Sequence, residues 1–217
     1  GDCNDGDGDV FPGALERCNG TSDACDAAWA NDDGLVTLTD TLGVRDATAE
    51  LTGIDGAPAT AAFEAGTLAF CAGTWFVNLS FTAGGVVSGV GEGVVLDGGG
   101  TGTVLQLGAG LYVVTDVTVQ HGVGVSGGGI TIDGAESVTI TGLLVESNTA
   151  TDGGGLSLGA PTVATIVNST FSGNVATDNG GGIAAFGGSV TLMGSTVSGN
   201  QAAGQGSGVY AEDAALA

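Results

Sequence analysis

The sequence predicts an all-β fold, a parallel β-helix built as a single-stranded solenoid of about 26 residues per coil. Three observations predict it. Residue types recur in columns at a 26-residue step. Apolar residues alternate along short runs rich in Val, Ile and Thr. Glycine is 44 of 217 residues, about three times its ordinary share of roughly 7%.

The columns come first because a repeat decides how everything local is read. "LLVESN", "STFSGN" and "STVSGN" place Asn148, Asn174 and Asn200 at equal intervals. Three residues before each stands an apolar one, Val145, Phe171 and Val197, with Val119 one period earlier. Val114, Ile140, Ile166 and Leu192 form a second column. Glycine leads a third: "GGGI" at 127–130, "GGGL" at 153–156, "GGGI" at 180–183 and "GSGV" at 206–209, so one coil carries a single extra residue.

The local chemistry agrees. "SVTITGLLVESN" and "SVTLMGSTVSGN" alternate apolar and polar, which is the period of a strand and not of a helix. Glycine runs supply turns with positive φ. A repeat of strands and turns has no core of its own, but stacked coils about 4.8 Å apart share one. "GTLAFCAGTWFVNLSF" reads as the first complete coil, giving about six coils and a helix over 66–217. Residues 35–65 read as a connecting segment or N-terminal cap, and 1–34 as a separate acidic module. The Asn column reads as an inward ladder in which each amide bonds the next coil.

The coils resemble known families. "GGGI" with "FSGN" is similar to the repeats of polymorphic outer-membrane proteins, which are pectin-lyase-like right-handed β-helices. "FCAGTWFVNLSF" followed by "LDGGGTGTVL" resembles the opening coils of secreted bacterial pectin-lyase-like proteins. The resemblance implies the fold and leaves activity open, because such folds host many functions.

Charge is the other extreme. There are 24 Asp and Glu against 2 Lys and Arg, a net charge of -22. Both basic residues, Arg17 and Arg45, precede residue 46. Nucleic acid is excluded as a partner, since nothing neutralises its phosphates. No apolar stretch reaches the roughly 18 residues of a membrane span. Such acidity fits either divalent cations or a high-salt habitat.

The acid is densest in "DGDGDVFPGALE". Asp5, Asp7, Asp9 and Glu16 occupy positions 1, 3, 5 and 12, with the carbonyl of Phe11 at position 7. That is the oxygen spacing of an EF-hand-type Ca²⁺ loop, although Val10 stands where such a loop needs Gly. The stretch "DCNDGDGDVFPGALERCNGTSDACD" resembles a bacterial extracellular metal-binding motif with a DCDD start and a PGA-E-CDG centre. The resemblance implies one Ca²⁺ near Asp5–Glu16; a second site would need Asp23, Asp26 or Asp32. Cys3, Cys18, Cys25 and Cys71 make an even count suited to disulfides in an oxidising compartment, with three pairings open. If all four are oxidised, one of the first three joins Cys71 and ties the module to the solenoid. The sequons at Asn19, Asn78 and Asn168 fit an extracellular or cell-surface location.

An enzyme is the rival reading, because the fold houses polysaccharide lyases and glycoside hydrolases. Lyases of this fold use an Arg or Lys base, and none follows residue 45. Asp97, Asp116, Asp133, Asp152 and Asp178 form no hydrolase motif. His121, the single histidine, reads as a turn residue beside the Asn column. The expectation is therefore a structural or adhesive protein with no catalytic residue. Carbohydrate is an admissible partner, although Trp29, Trp75, Tyr112 and Tyr210 form no stacking platform at repeat spacing. No capping helix follows "VYAEDAALA", which suggests self-association through solenoid ends into a head-to-tail fibre.

Overall fold

A computed structural model of the chain describes residues 36–53 and 57–217. It is a parallel β-solenoid. From Ile130 onward each coil lays down four short strands, and each pairs in parallel with its counterpart one coil away. The first stack contains Ile130–Ile132, Leu156–Gly159, Ile183–Phe186 and Val209–Glu212. The second contains Ala135–Thr141, Val163–Val167, Ser189–Met193 and Ala215–Leu216. The third contains Thr118–Gln120, Leu144–Glu146, Thr170–Ser172 and Thr196–Ser198. The fourth contains Val123–Ser126, Thr149–Asp152, Val175–Ala176 and Gln201–Ala202.

The columns read from the sequence are the registers of these stacks. Val119 pairs with Val145, Val145 with Phe171 and Phe171 with Val197. Val114, Ile140, Ile166 and Leu192 pair likewise in the second stack. All point inward, and Val119, Val145, Phe171, Val114, Ile140 and Ile166 are fully buried. Each such side chain contributes about 1.5–3 kcal/mol of burial. The glycine column turns the chain between the fourth stack and the next coil. Gly127, Gly153, Gly180 and Gly206 have φ of 65°, 63°, 66° and 65°. A Cβ on Gly153 would fall 2.3 Å from the Leu156 carbonyl oxygen, so only glycine fits.

Following Leu79, Leu105, Ile130, Leu156, Ile183 and Val209 along the first stack gives about five turns, at steps of 26, 25, 26, 27 and 26. The expected six is one too many. Thr67–Phe70, read as the opening of a full coil, pairs antiparallel with Val36–Thr39. Val36–Asp40 also forms an antiparallel hairpin with Gly43–Asp46. This ribbon covers the first coil, burying Val36, Leu38, Ala47 and Leu51 against Leu68 and Phe70. Parallel pairing already includes Ala59–Phe63, which lies beside Val77–Phe81.

Candidate functional site

The residues expected to hold Ca²⁺, Asp5, Asp7, Asp9, Phe11 and Glu16, lie outside the described residues, as do Cys3, Cys18 and Cys25. Cys71 is described: it is buried and is not a free thiol. Among the described residues, no three His, Cys, Asp or Glu are placed to share a metal ion. Nor is any helix among them long and apolar enough to cross a membrane.

The three asparagines stand one above another inside the turn between the third and fourth stacks. Asn148 and Asn174 are completely buried. The Asn174 side-chain oxygen accepts from the Asn148 backbone N–H at 3.1 Å and from Asn148 Nδ2 at 3.0 Å. Its own Nδ2 donates to the Val145 carbonyl at 2.9 Å and to Asn200 Oδ1 at 3.0 Å. Asn148 makes the same links one coil earlier, accepting from Gly122 N–H and donating to the Val119 carbonyl. Buried amides are thereby satisfied entirely by one another and by backbone.

A second polar ladder was not read from the sequence. Ser169 Oγ accepts from the Leu143 N–H, and Ser195 Oγ accepts from the Ser169 N–H, both at 3.1 Å. The signal was present in the "NST" and "GST" steps, but Leu143 and Val117 occupy the same column earlier and hide it.

One coil upstream lies a pair that links the single histidine to a buried acid. Asp97 is 5% exposed. Its Oδ2 contacts His121 Nδ1 at 2.8 Å and accepts from Gln120 Nε2 at 2.8 Å, while Oδ1 accepts from the Gly99 N–H at 2.8 Å. Burial is the largest single influence on this carboxyl and pushes its pKa up. The hydrogen bonds from His121, Gln120 and Gly99, with the His121 charge, outweigh it and hold the carboxyl below its ordinary value. His121 itself is a left-handed turn residue with φ 52°, beside Gly122 in the Asn column.

One candidate groove is a cleft of about 300 Å³ on the side of the solenoid. It exists because Ser88 to Val95 takes seven residues where the next coil spans Thr115 to Thr118 in three. The excess chain bulges as Gly91-Glu92-Gly93 over Asp116, Thr118 and Leu144. Two carboxylates, Glu92 and Asp116, therefore line one cleft. At the right separation a carboxylate pair is the donor set of glycoside chemistry. Glu92 was not singled out in the sequence, since its place follows only from the bulge.

The family model described as "Right handed beta helix region" matches residues 92–215, more than half of the chain. The chain belongs to the right-handed β-helix family. No curated protein and no solved structure matches it significantly.

In this right-handed β-helix the remaining acids are spread over several faces. Asp152 and Asp178 do sit on adjacent coils of the fourth stack. Asp152 Oδ1 accepts from the backbone and side-chain nitrogens of Asn179, at 3.1 and 3.3 Å. Asn179 is the extra residue of the 27-residue coil, and its own Oδ1 accepts from the Gln205 N–H. Asp152 is thus engaged in holding the insertion. Tyr210 shares that region: desolvation first, then its hydrogen bond to Glu212 and the charges of Glu212, Asp178 and Asp152 push its pKa up. Asp133 follows the first stack, on another side. The outward positions of the second stack differ from all of these. Ser137, Thr139, Thr141, Val163, Thr165, Val167, Ser189, Thr191 and Met193 carry no charge, with Glu136 at the rim.

Proposed function

We propose that this β-helix is a structural or adhesive component of the extracellular space or cell surface, stabilised by calcium at its acidic N-terminal segment. The observation that carries the reading is the fate of its polar side chains. Asn148, Asn174 and Asn200, Ser169 and Ser195, and Asp97 with His121 are spent in bonds from coil to coil. Such fully satisfied bonds stiffen a rod, as a structural role requires. Asp5, Asp7, Asp9, Glu16 and the Phe11 carbonyl form a hard-oxygen donor set suited to Ca²⁺. A disulfide from Cys71 to one of Cys3, Cys18 or Cys25 would join that segment to the coils, in keeping with secretion. The repeats would be of the polymorphic outer-membrane type, and copies would associate through solenoid ends, head to tail. Carbohydrate is admissible as a partner of the adhesive surface.

Calcium-dependent melting tests the first half of this reading: Ca²⁺ raises the melting temperature of the full chain, and joint Asp5→Asn, Asp7→Asn and Asp9→Asn substitution removes the increase. Sedimentation over a wide concentration range tests the second; a chain that stays monomeric with and without Ca²⁺ ends the fibre proposal. A second reading, a polysaccharide-degrading enzyme, draws support from the cleft holding Glu92 and Asp116. Its test is release of reducing or unsaturated sugar that Glu92→Gln or Asp116→Asn abolishes.

A further inference from the structure

One face of the solenoid takes no part in the ladders or the cleft. It is the outward side of the second stack, which is continued upstream by residues 111–115 and 86–88 in the same register. Val86, Val113, Thr139, Thr165 and Thr191 run down its middle, one per coil. On its flanks Leu111, Val163 and Met193 are 63%, 48% and 54% exposed. Beyond Leu111 the face dips into a shallow groove of about 610 Å³ over Gly84, Gly85 and Gly110.

We propose that a second copy of the chain packs on this face, side by side and sheet against sheet. Charge selects the occupant. The chain carries a net charge of -22, so two copies repel wherever their carboxylates meet. Each of the other stacks carries a carboxylate: Glu212 in the first, Glu146 in the third and Asp152 in the fourth. In the second stack the single acid is Glu136, which lies in the bulge between Ala135 and Ser137 at the edge of the face and has no partner in the register. Copies that meet there bring together methyl groups and hydroxyls. A basic partner would be drawn instead to the carboxylates of the other faces.

Area sets the strength of the contact. Five strands about 4.8 Å apart, each of five residues rising about 3.3 Å, make a face of roughly 400 Å² per copy. That is about half the usual 800 Å² per partner, so the contact is weak and reversible. The same patch serves both copies, so the assembly closes at two. It is independent of calcium and of the head-to-tail association proposed above, which is open-ended.

Sedimentation equilibrium of the full chain tests the proposal, at concentrations reaching about 1 mM, with EDTA present so that no cation bridges carboxylates. Raising NaCl from about 0.1 to about 1 M shortens the Debye length from about 10 to about 3 Å, and the dimer should strengthen several-fold. Val163→Glu places a carboxylate from each copy in the contact and should weaken the dimer at least about tenfold, as should Met193→Glu. Val125→Glu, on the fourth stack at a position 78% exposed, should leave it unchanged. Strand circular dichroism like that of the wild type identifies the variants that are folded. A chain that stays monomeric in about 1 M NaCl at every concentration overturns the proposal. So does a dimer that weakens with salt, or one lost equally in Val125→Glu. Mass that grows past two copies alike in wild type and Val163→Glu overturns it too, and assigns the contact to the solenoid ends.

Discussion

Replacing Asn174 by Ala removes the centre of the amide ladder. Four side-chain hydrogen bonds disappear at once: two accepted from Asn148 and two donated, to Val145 and Asn200. A net bond contributes about 0.5–1.5 kcal/mol, and a buried donor left unmatched costs about 1–3 kcal/mol. The Asn148 N–H is such a donor, because Asn148 is completely buried. The expected loss is about 3–5 kcal/mol, a large part of a domain's usual 5–15 kcal/mol. Asn174→Asp does no better at neutral pH, since its second oxygen would face the Val145 carbonyl and Asn200 Oδ1, both acceptors. Asn200→Ala costs less, because Asn200 is only half-buried and water can repair its broken bonds. Urea unfolding with an unchanged m-value measures all three. A loss below about 1 kcal/mol for Asn174→Ala would refute the reasoning, since it would mean the ladder bonds carry no net weight.

Three further outcomes follow from the same geometry. Gly153→Ala is expected to unfold far more readily than Gly134→Ala: both have positive φ, costing about 1–2 kcal/mol, but only Gly153 also drives a Cβ into a carbonyl. Equal urea midpoints for the two would contradict this. Thr162→Val should raise stability by about 1 kcal/mol, because the buried Thr162 hydroxyl has no partner among the described residues; a decrease would mean that it has one. Asp97 has a lowered carboxyl pKa in the fold, so its contribution is present above the unfolded value of about 3.9 and fades as pH falls below it. The stability gap between wild type and Asp97→Asn should therefore be widest near neutrality and close on acidification; a gap constant from pH 7 to 3 would be evidence against the pairing.

The repeat was legible because every coil after residue 127 keeps its step within one residue, and burial forces the same residue type into the same place. The single insertion was visible too, in the glycine column, but its purpose was not: Asn179 bonds both Asp152 and the Gln205 N–H, contacts made only once the coils are stacked. Upstream the period misleads. Asp97 pairs in register with Gln120, 23 residues on, because the Gly91–Gly93 bulge displaces the strands around it. A 26-residue projection from Asp97 reaches Val123 and misses His121. The coil count failed for a related reason, since Thr67–Phe70 has strand chemistry whichever way its partner runs. Whether the carboxylates of a solenoid face one cleft depends on bulges and not on the period, and so Glu92 stayed hidden.

The most direct test of the structural reading is turnover of polysaccharides by the purified chain, assayed with calcium in the buffer. Acidic and neutral polymers should both be left intact, with no reducing ends and no unsaturated products above the blank. Release of either product, abolished by Asp116→Asn or by Glu92→Gln in a chain that still folds, would contradict the account and make the solenoid an enzyme.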